Sequence, residues 1–433
     1  MDEDAVESDN IIVLIVILAM LAHLAVGVPL FVILGLGSLA LILLCDVYSL
    51  SVFGEVPFSA IDSWALLAMP LFILAGEIIS RGRTAKDIVR LSEAIVGWTS
   101  GGLGTATIFG CFFFAGTSGS SSADTITIGR IMIPAMRSRG YNPSYAASLA
   151  ASGGILGVII PPSLIFIIYG IATSTSIGEL FLGGIVPGLL IALTLSVANS
   201  LVCRFSPWAI ADKKPFSLRG SLLAIWYAKW GLGAPVIILG GIYGGIFTPT
   251  EAAAVAVFYV LVVETLINQE LSWKDIISAL GSAAIITGIL GPIIAFSILF
   301  GETLAILRIP SSVVSFFVSM SVGPVESVFL IILVLLIIGC ILEPIAAILV
   351  VMPILLPIGQ ELGFDPVHFG VFVVTALSVG FITPPVGINL FAASAVSEQP
   401  FLDIASKTIP AFLALLVTVS IIAFSPDAVL WFR

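Results

Sequence analysis

Uncharged stretches long enough to cross a lipid bilayer, which takes about 20 residues of helix, recur along this chain. They cover Ile11 to Leu44, Tyr145 to Ile177, Leu180 to Cys203, Trp230 to Thr250, Ile276 to Gly301 and Pro366 to Ser397. A chain built this way reads as an all-α polytopic membrane protein. The balance agrees: 59% of the 433 residues are hydrophobic and 10% are charged, against about 25% charged in soluble domains. That excludes a soluble enzyme. With 16 Lys and Arg against 26 Asp and Glu, no polycationic footprint for nucleic acid exists; the bulk partner is the bilayer. Cys45, Cys111, Cys203 and Cys340 are too scattered for a disulfide framework or metal site and read as packing residues.

The acidic start (Asp2, Glu3, Asp4, Glu7, Asp9) lacks the cationic region of a cleaved signal, so the first segment is expected to be retained. Gly27 and Pro29 should break Ile11 to Leu44 into a kinked or hairpin pair. Positive residues stay cytoplasmic, which places Arg81, Arg83, Lys86 and Arg90 inside, with Arg130, Arg137 and Arg139, and with Arg204, Lys213, Lys214 and Arg219. The loops Asp46 to Asp62 and Thr173 to Glu179 carry no Lys or Arg and read as outside. Thr84 to Trp98 sets Ile88, Leu91, Ile95 and Trp98 on one helical face, which suits an interfacial helix.

Gly101 to Met136 is apolar, yet basic clusters flank both its ends. It must enter and return. Its middle, Ala115 to Asp124, is rich in glycine and hydroxyls and reads as the non-helical tip of a re-entrant hairpin, tolerated only against protein or a watery cavity.

The chain also repeats itself. Pro161-Pro162 recurs as Pro384-Pro385, Gly157 as Gly380, Pro187 as Pro410, and Gly140 to Pro143 as Gly363 to Pro366, all at an offset of 223. Ile73 to Glu77 matches Ile298 to Glu302 at 225, and Met132 to Pro134 matches Val351 to Pro353 at 219, a register that pairs Asp124 with Glu343. The division is residues 1–62 as N-terminal scaffold, 63–203 as a first repeat with hairpin 101–136, 204–275 as cytoplasmic linker and scaffold, and 276–433 as a second repeat with hairpin 327–356. Crossings at Ser63 to Ile79, Tyr145 to Ile177, Leu180 to Cys203, Trp230 to Phe247 and Ala252 to Ile267 are odd in number, so the second repeat is inverted. Inverted repeats with broken helices characterise secondary transporters.

Asp124 and Glu343 are the only acids in their hairpins, and a carboxylate at the bilayer centre costs about 2.5 to 3.5 kcal/mol on insertion scales. Ser118, Ser120 and Thr125, with the backbone from Gly154 to Pro162, supply hard oxygen ligands for a cation. Each acid could instead only cap its second half-helix, as Ser122 could. The breaks at Pro161-Pro162 and Gly380 to Pro385 free carbonyls for a cation and present amide ends to an anion, where Ser121, Ser122 and Asn389 can assist. Glu77 and Glu302 sit at helix ends and read as packing or interface contacts; His23 and His368 have no metal-spaced partner. No phosphate-binding G-x-x-x-x-G-K-[ST] loop occurs, so an ion gradient must supply the energy.

From Gly27-Val28-Pro29 through Phe247-Thr248-Pro249-Thr250-Glu251-Ala252-Ala253 to Phe381-Ile382-Thr383-Pro384-Pro385-Val386-Gly387-Ile388-Asn389-Leu390-Phe391, the chain resembles the large membrane subunit of tripartite ATP-independent periplasmic (TRAP) transporters, within the wider ion-transporter superfamily. The resemblance implies a sodium-driven elevator in a bacterial inner membrane. It also implies a small four-helix membrane subunit and a periplasmic binding protein that delivers an organic acid, a dicarboxylate, sialic acid or similar carboxylate. By motif it implies sodium sites at Ser118, Ser120, Asp124 and Thr125 with Gly157, and at Glu343 with Gly380 and Thr383. Substrate would sit near Ser121, Ser122, Pro161, Pro162, Pro384, Pro385 and Asn389. Glu343 departs from the aspartate more usual there. Two rivals are a passive channel and a rhomboid-like intramembrane serine protease, the latter because Gly116-Thr117-Ser118-Gly119 fits Gly-x-Ser-Gly and a base such as His23 or His368 would be needed.

Both termini should face the periplasm and Ser206 to Arg219 the cytoplasm. A cysteine at Ser217 is expected to react with membrane-impermeant reagents only in inside-out vesicles. Labelling in intact cells would overturn this topology.

Overall fold

The computed structural model describes residues 3–206, 210, 215–319 and 322–433; Asp2 of the acidic start and Lys213 and Lys214 of the third basic cluster lie outside them. Among the described residues the regular elements are all helical. The chain begins with α1 (Glu3–Ala25), α2 (Leu30–Leu44), α3 (Val52–Ile61), α4 (Ala68–Arg81) and α5 (Thr84–Val96). The first half continues as α6 (Gly102–Ser118), α7 (Ser121–Ser138), α8 (Pro143–Gly154), α9 (Leu164–Thr173) and α10 (Ile177–Phe205). Then come α11 (Leu218–Tyr243), α12 (Pro249–Val262) and α13 (Trp273–Ile306), followed by α14 (Ile309–Ser319), α15 (Pro324–Gly339) and α16 (Pro344–Glu361). The chain closes with α17 (Pro366–Gly380), α18 (Ile388–Ser397), α19 (Phe401–Phe424) and α20 (Pro426–Val429). Seven helical stretches among the described residues are long and apolar enough to span a membrane.

Local chemistry explains many boundaries. Gly27 takes a φ of 85° between α1 and α2, as the break at Gly27 and Pro29 demands. Thr248 and Glu251 form a reciprocal capping box with Pro249 in the first turn of α12. Asn142 and Asp365 each cap a helix that starts with proline, α8 and α17, by accepting two amide bonds.

The helices pack in two groups that meet where α5 and α4 lie on α6 and where α13 lies on α16. In one, α4 lies on α12 and α13, α13 also covers α2 and α3, and α11 packs on α5 and α12. In the other, α6 to α10 interleave with α15 to α20. The pivot of the second is α8, where Ala146, Ala147, Ser148, Ala150, Ala151 and Ser152 are all buried. Such short side chains let α6, α7, α18 and α19 approach closely. Asn199 of α10 locks the base of the first hairpin: its Nδ2 donates to the Gly101 carbonyl at 3.0 Å and Thr105 Oγ1 at 3.1 Å, while Tyr145 Oη donates to its Oδ1 at 3.0 Å.

The order hairpin, capped helix, break, short helix, long helix appears twice, as α6 to α10 and α15 to α19. Pro161-Pro162 and Pro384-Pro385 are both cis, and α9 and α18 both end on a left-handed residue, Ser174 and Glu398.

Several expectations need correction. The segment Asp46 to Asp62 is not simply a loop, because it contains α3, with Pro57 buried. Trp98 lies beyond α5, exposed and edge-on to Phe216, whereas Ile88 and Leu91 are buried where α5 packs on α6 and α11. Asp87 of the same helix is also buried, paired with Arg83 and Arg90. The hairpin arms run 102–138 and 324–361, past the expected ends.

An unforeseen lock ties α5 to the end of α12. Glu264, in a π-helical turn after α12 (Val263–Ile267), is fully buried. Its carboxylate accepts from the amides of Arg83 and Thr84 at 3.0 and 3.2 Å, from the Thr84 hydroxyl and from Asn268 Nδ2 at 3.0 Å. It thus satisfies free amides at the start of α5 and meets that helix's positive end. Glu264→Ala is expected to lower stability by about 2–3 kcal/mol, read as an earlier thermal unfolding of the solubilised chain; the exposed Glu361→Ala serves as the neutral control.

Candidate functional site

The first hairpin turns over only two residues, Gly119 and Ser120, at φ 63° and −137°. The tip is narrower than expected because Ser120 caps α7, accepting from the Ala123 amide, so Ser121 to Asp124 already lie in its first turn. Neither Ser122 nor Asp124 is the cap. The Asp124 carboxylate is fully buried; Ser118 Oγ donates to its Oδ1, and among the described residues its Oδ2 has no hydrogen-bond partner.

The break between α8 and α9 closes over this tip. A Cβ on Gly157 would stand 2.6 Å from both Asp124 Oδ2 and the Ser120 carbonyl oxygen, and one on Gly154 would stand 2.0 Å from Thr125 Oγ1. Only glycine permits that approach. The Pro162 carbonyl lies against Gly119 in the same way, 2.9 Å from where a Cβ would be. Ser118, Ser120, Asp124, Thr125, Gly157, Pro161 and Pro162 thus lie together at this tip, although Thr125 Oγ1 is committed to the Ser121 carbonyl at 3.0 Å.

The second half contributes directly. Ser121 Oγ donates to Asn389 Oδ1 at 2.8 Å, and Asn389 Nδ2 donates to the Ala151 carbonyl at 2.9 Å. Asn389, at the start of α18, thus bridges the tip of one repeat to the helix beneath it. Ser122 is half-buried beside Ser120.

The second tip is built differently. Glu343 is the cap of α16, accepting from the Ala346 amide at 3.2 Å. The position equivalent to Glu343 is therefore the other cap, Ser120, at the same 223-residue offset as the proline pairs. Asp124 then corresponds to Ala347, and Pro134 to Pro357; the 219 register that paired Asp124 with Glu343 does not hold. Gly380 packs against the Gly339-Cys340 backbone, and the Val386 and Gly387 amides donate to the Cys340 carbonyl at 3.2 and 3.4 Å. Thr383 Oγ1 turns back to the Val379 carbonyl at 3.0 Å. Pro161 and Pro162 are buried, whereas Pro384 and Pro385 are exposed.

Neither histidine serves Ser118. His23 Nδ1 contacts the Ala19 carbonyl and His368 Nε2 the Ile422 carbonyl. Glu77 pairs with Arg81 at 2.9 Å, a helix-end contact as expected. Arg81 also donates to Ser278 and Ser282 of α13. Glu264 and Asn199 escaped sequence reasoning because their partners are distant in sequence; the one available signal was a polar residue inside an apolar run.

Broken helices facing hairpin tips inside a bundle of membrane-length helices define a polytopic membrane transporter. The chain belongs to the tripartite ATP-independent periplasmic transporter family, DctM component, whose model matches residues 17–428. It is 36% identical to the C4-dicarboxylate TRAP transporter large permease protein DctM of Vibrio cholerae, over 97% of each chain. It is 38% identical to the isethionate TRAP transporter permease protein DctMQ of Oleidesulfovibrio alaskensis, over 94% of this chain and 64% of that longer protein. In fold it resembles the YdaH transporter of Alcanivorax borkumensis, with a TM-score of 0.61 at 14% identity, over 87% of this chain and 88% of that one.

Gly157→Ala is expected to cut transport at least tenfold, roughly the penalty of misplacing a pre-organised site, because its methyl must displace Asp124 or the Ser120 carbonyl. Gly288→Ala, which meets open space, should transport normally in the same uptake assay.

Proposed function

We propose that this chain is the substrate-carrying subunit of a sodium-driven importer of a small organic acid, such as a dicarboxylate, sialic acid or similar carboxylate, in a bacterial inner membrane with both termini periplasmic. The observation that carries the reading is the buried Asp124 carboxylate with one oxygen left unpartnered, beside the Ser120 carbonyl and the Ser118 hydroxyl. A buried lone carboxylate oxygen is costly unless a cation or donor completes it, and hard oxygen donors suit sodium as co-transported cargo. At the second tip Glu343 is occupied as a cap, so its share in a second sodium site with Gly380 and Thr383 is secondary.

The anionic end of the substrate would meet the α7 and α18 amide ends with Ser122 and Asn389, next to the cation. Binding without the ion would then be weak. The relatives' names, C4-dicarboxylate and isethionate, support an organic anion, and the tripartite periplasmic designation supports a binding protein and a small membrane subunit as partners. The odd number of crossings supports two inverted repeats. The division into two helical assemblies fits an elevator in which α6 to α10 and α15 to α20 move past the rest.

Proteoliposomes holding this chain, its small subunit and the binding protein should accumulate an organic acid only under an inward sodium gradient. Asp124→Asn should insert normally yet lose at least about tenfold in uptake, the cost of a strong charged ligand. Accumulation driven by protons without sodium would refute the coupling ion. Equilibration without accumulation would indicate a channel, and a normal sodium dependence in Asp124→Asn would leave that acid a structural role alone.

A further inference from the structure

A polar cavity of about 710 Å³ opens beside the first hairpin. One wall is a single face of α7, in which Ala123, Ile126, Thr127, Arg130 and Ile131 follow helical spacing. The facing wall is the end of α4 and the start of α5, with Glu77, Arg81 and Lys86, closed by Ser282 of α13. The inner end lies at Ala123, the neighbour of Asp124, and about 12 Å of helix rise separates it from Ile131.

Its charges are unevenly satisfied. Arg81 is neutralised by Glu77 and held by two serines. Arg130 and Lys86, both exposed, have no ion pair or hydrogen bond among the described residues, so the cavity carries two uncompensated positive charges on opposite walls. A cleft lined by one sign of charge between low-dielectric walls concentrates the opposite ion.

We propose that this cavity is an anion-collecting vestibule through which a carboxylate-bearing substrate passes between the first hairpin tip and the cytoplasm, with Arg130 and Lys86 as its attracting charges. Its cytoplasmic mouth and its cargo rest on the transport reading above; its preference for anions does not. Arg130 rides on the hairpin and Lys86 on the neighbouring assembly, so movement between the two would part the charges and release what they hold.

The test places a cysteine at Ile126 in the full chain, in inside-out membrane vesicles, and compares three thiol reagents. These are the anionic sulfonatoethyl, the cationic trimethylammonioethyl and the neutral methyl methanethiosulfonates, each corrected for the chain without the added cysteine and for reaction with free 2-mercaptoethanol. The anionic reagent is expected to be favoured over the cationic by about tenfold, within the range such focusing gives. Arg130→Gln with Lys86→Gln should bring the ratio close to one while the neutral rate is kept, and Arg130→Lys with Lys86→Arg should preserve it. No anionic preference, or one that survives neutralisation, would overturn the vestibule. A chain that shows the preference yet accumulates nothing under a sodium gradient would overturn the transport reading and leave the vestibule standing.

Discussion

Backbone amides and carbonyls freed inside a membrane-spanning bundle cannot turn to lipid, so every helix break must be answered by protein or by a water-filled cavity. Among the described residues such breaks include the two hairpin tips and the two proline pairs. The fold is the set of partners found for those breaks. At the second tip the Val386 and Gly387 amides answer the Cys340 carbonyl. At the first, Gly154 and Gly157 bring their backbone directly against the Thr125, Asp124 and Ser120 oxygens.

At the first tip the protein leaves one carboxylate oxygen without a hydrogen-bond partner among the described residues. Asp124 Oδ2 faces the point where the first tip and its break meet, and on the proposed reading that free oxygen is what distinguishes a binding place from a kink. Glu343 shows the contrast, because its carboxylate is occupied by the start of its own helix. The two repeats share a backbone plan and differ in the chemistry placed on it.

Communication between the halves is short and polar. Asn389 spans from the Ser121 hydroxyl to the Ala151 carbonyl, so the short helix of one repeat cannot shift without disturbing the tip of the other. Glu264 plays a comparable part outside this core, holding the start of α5 just where the chain passes toward the first hairpin. Together they tie α18 to the first hairpin and α8, and the start of α5 to the turn after α12.

The sequence by itself determined what is local. Apolar run lengths set the helices; Gly27 with Pro29, Asn142-Pro143, Asp365-Pro366 and the box from Thr248 to Glu251 set their ends; the duplicated proline pairs exposed the repeat. Composition near the first tip marked Ser118, Ser120 and Asp124 because glycine and serine at membrane depth need a purpose. Tertiary structure decided what depends on approach between distant segments. It set the cap register that pairs Glu343 with Ser120, the Asn389 bridge across 268 residues, the seat of Glu264, the helix within the segment expected to be an outside loop, and the gathering of Arg130 and Lys86 around one cavity. Caps and turns are fixed by neighbours a few residues away. Which helices meet, and which polar group each must satisfy, is settled only when small residues such as those of α8 allow the backbones to close.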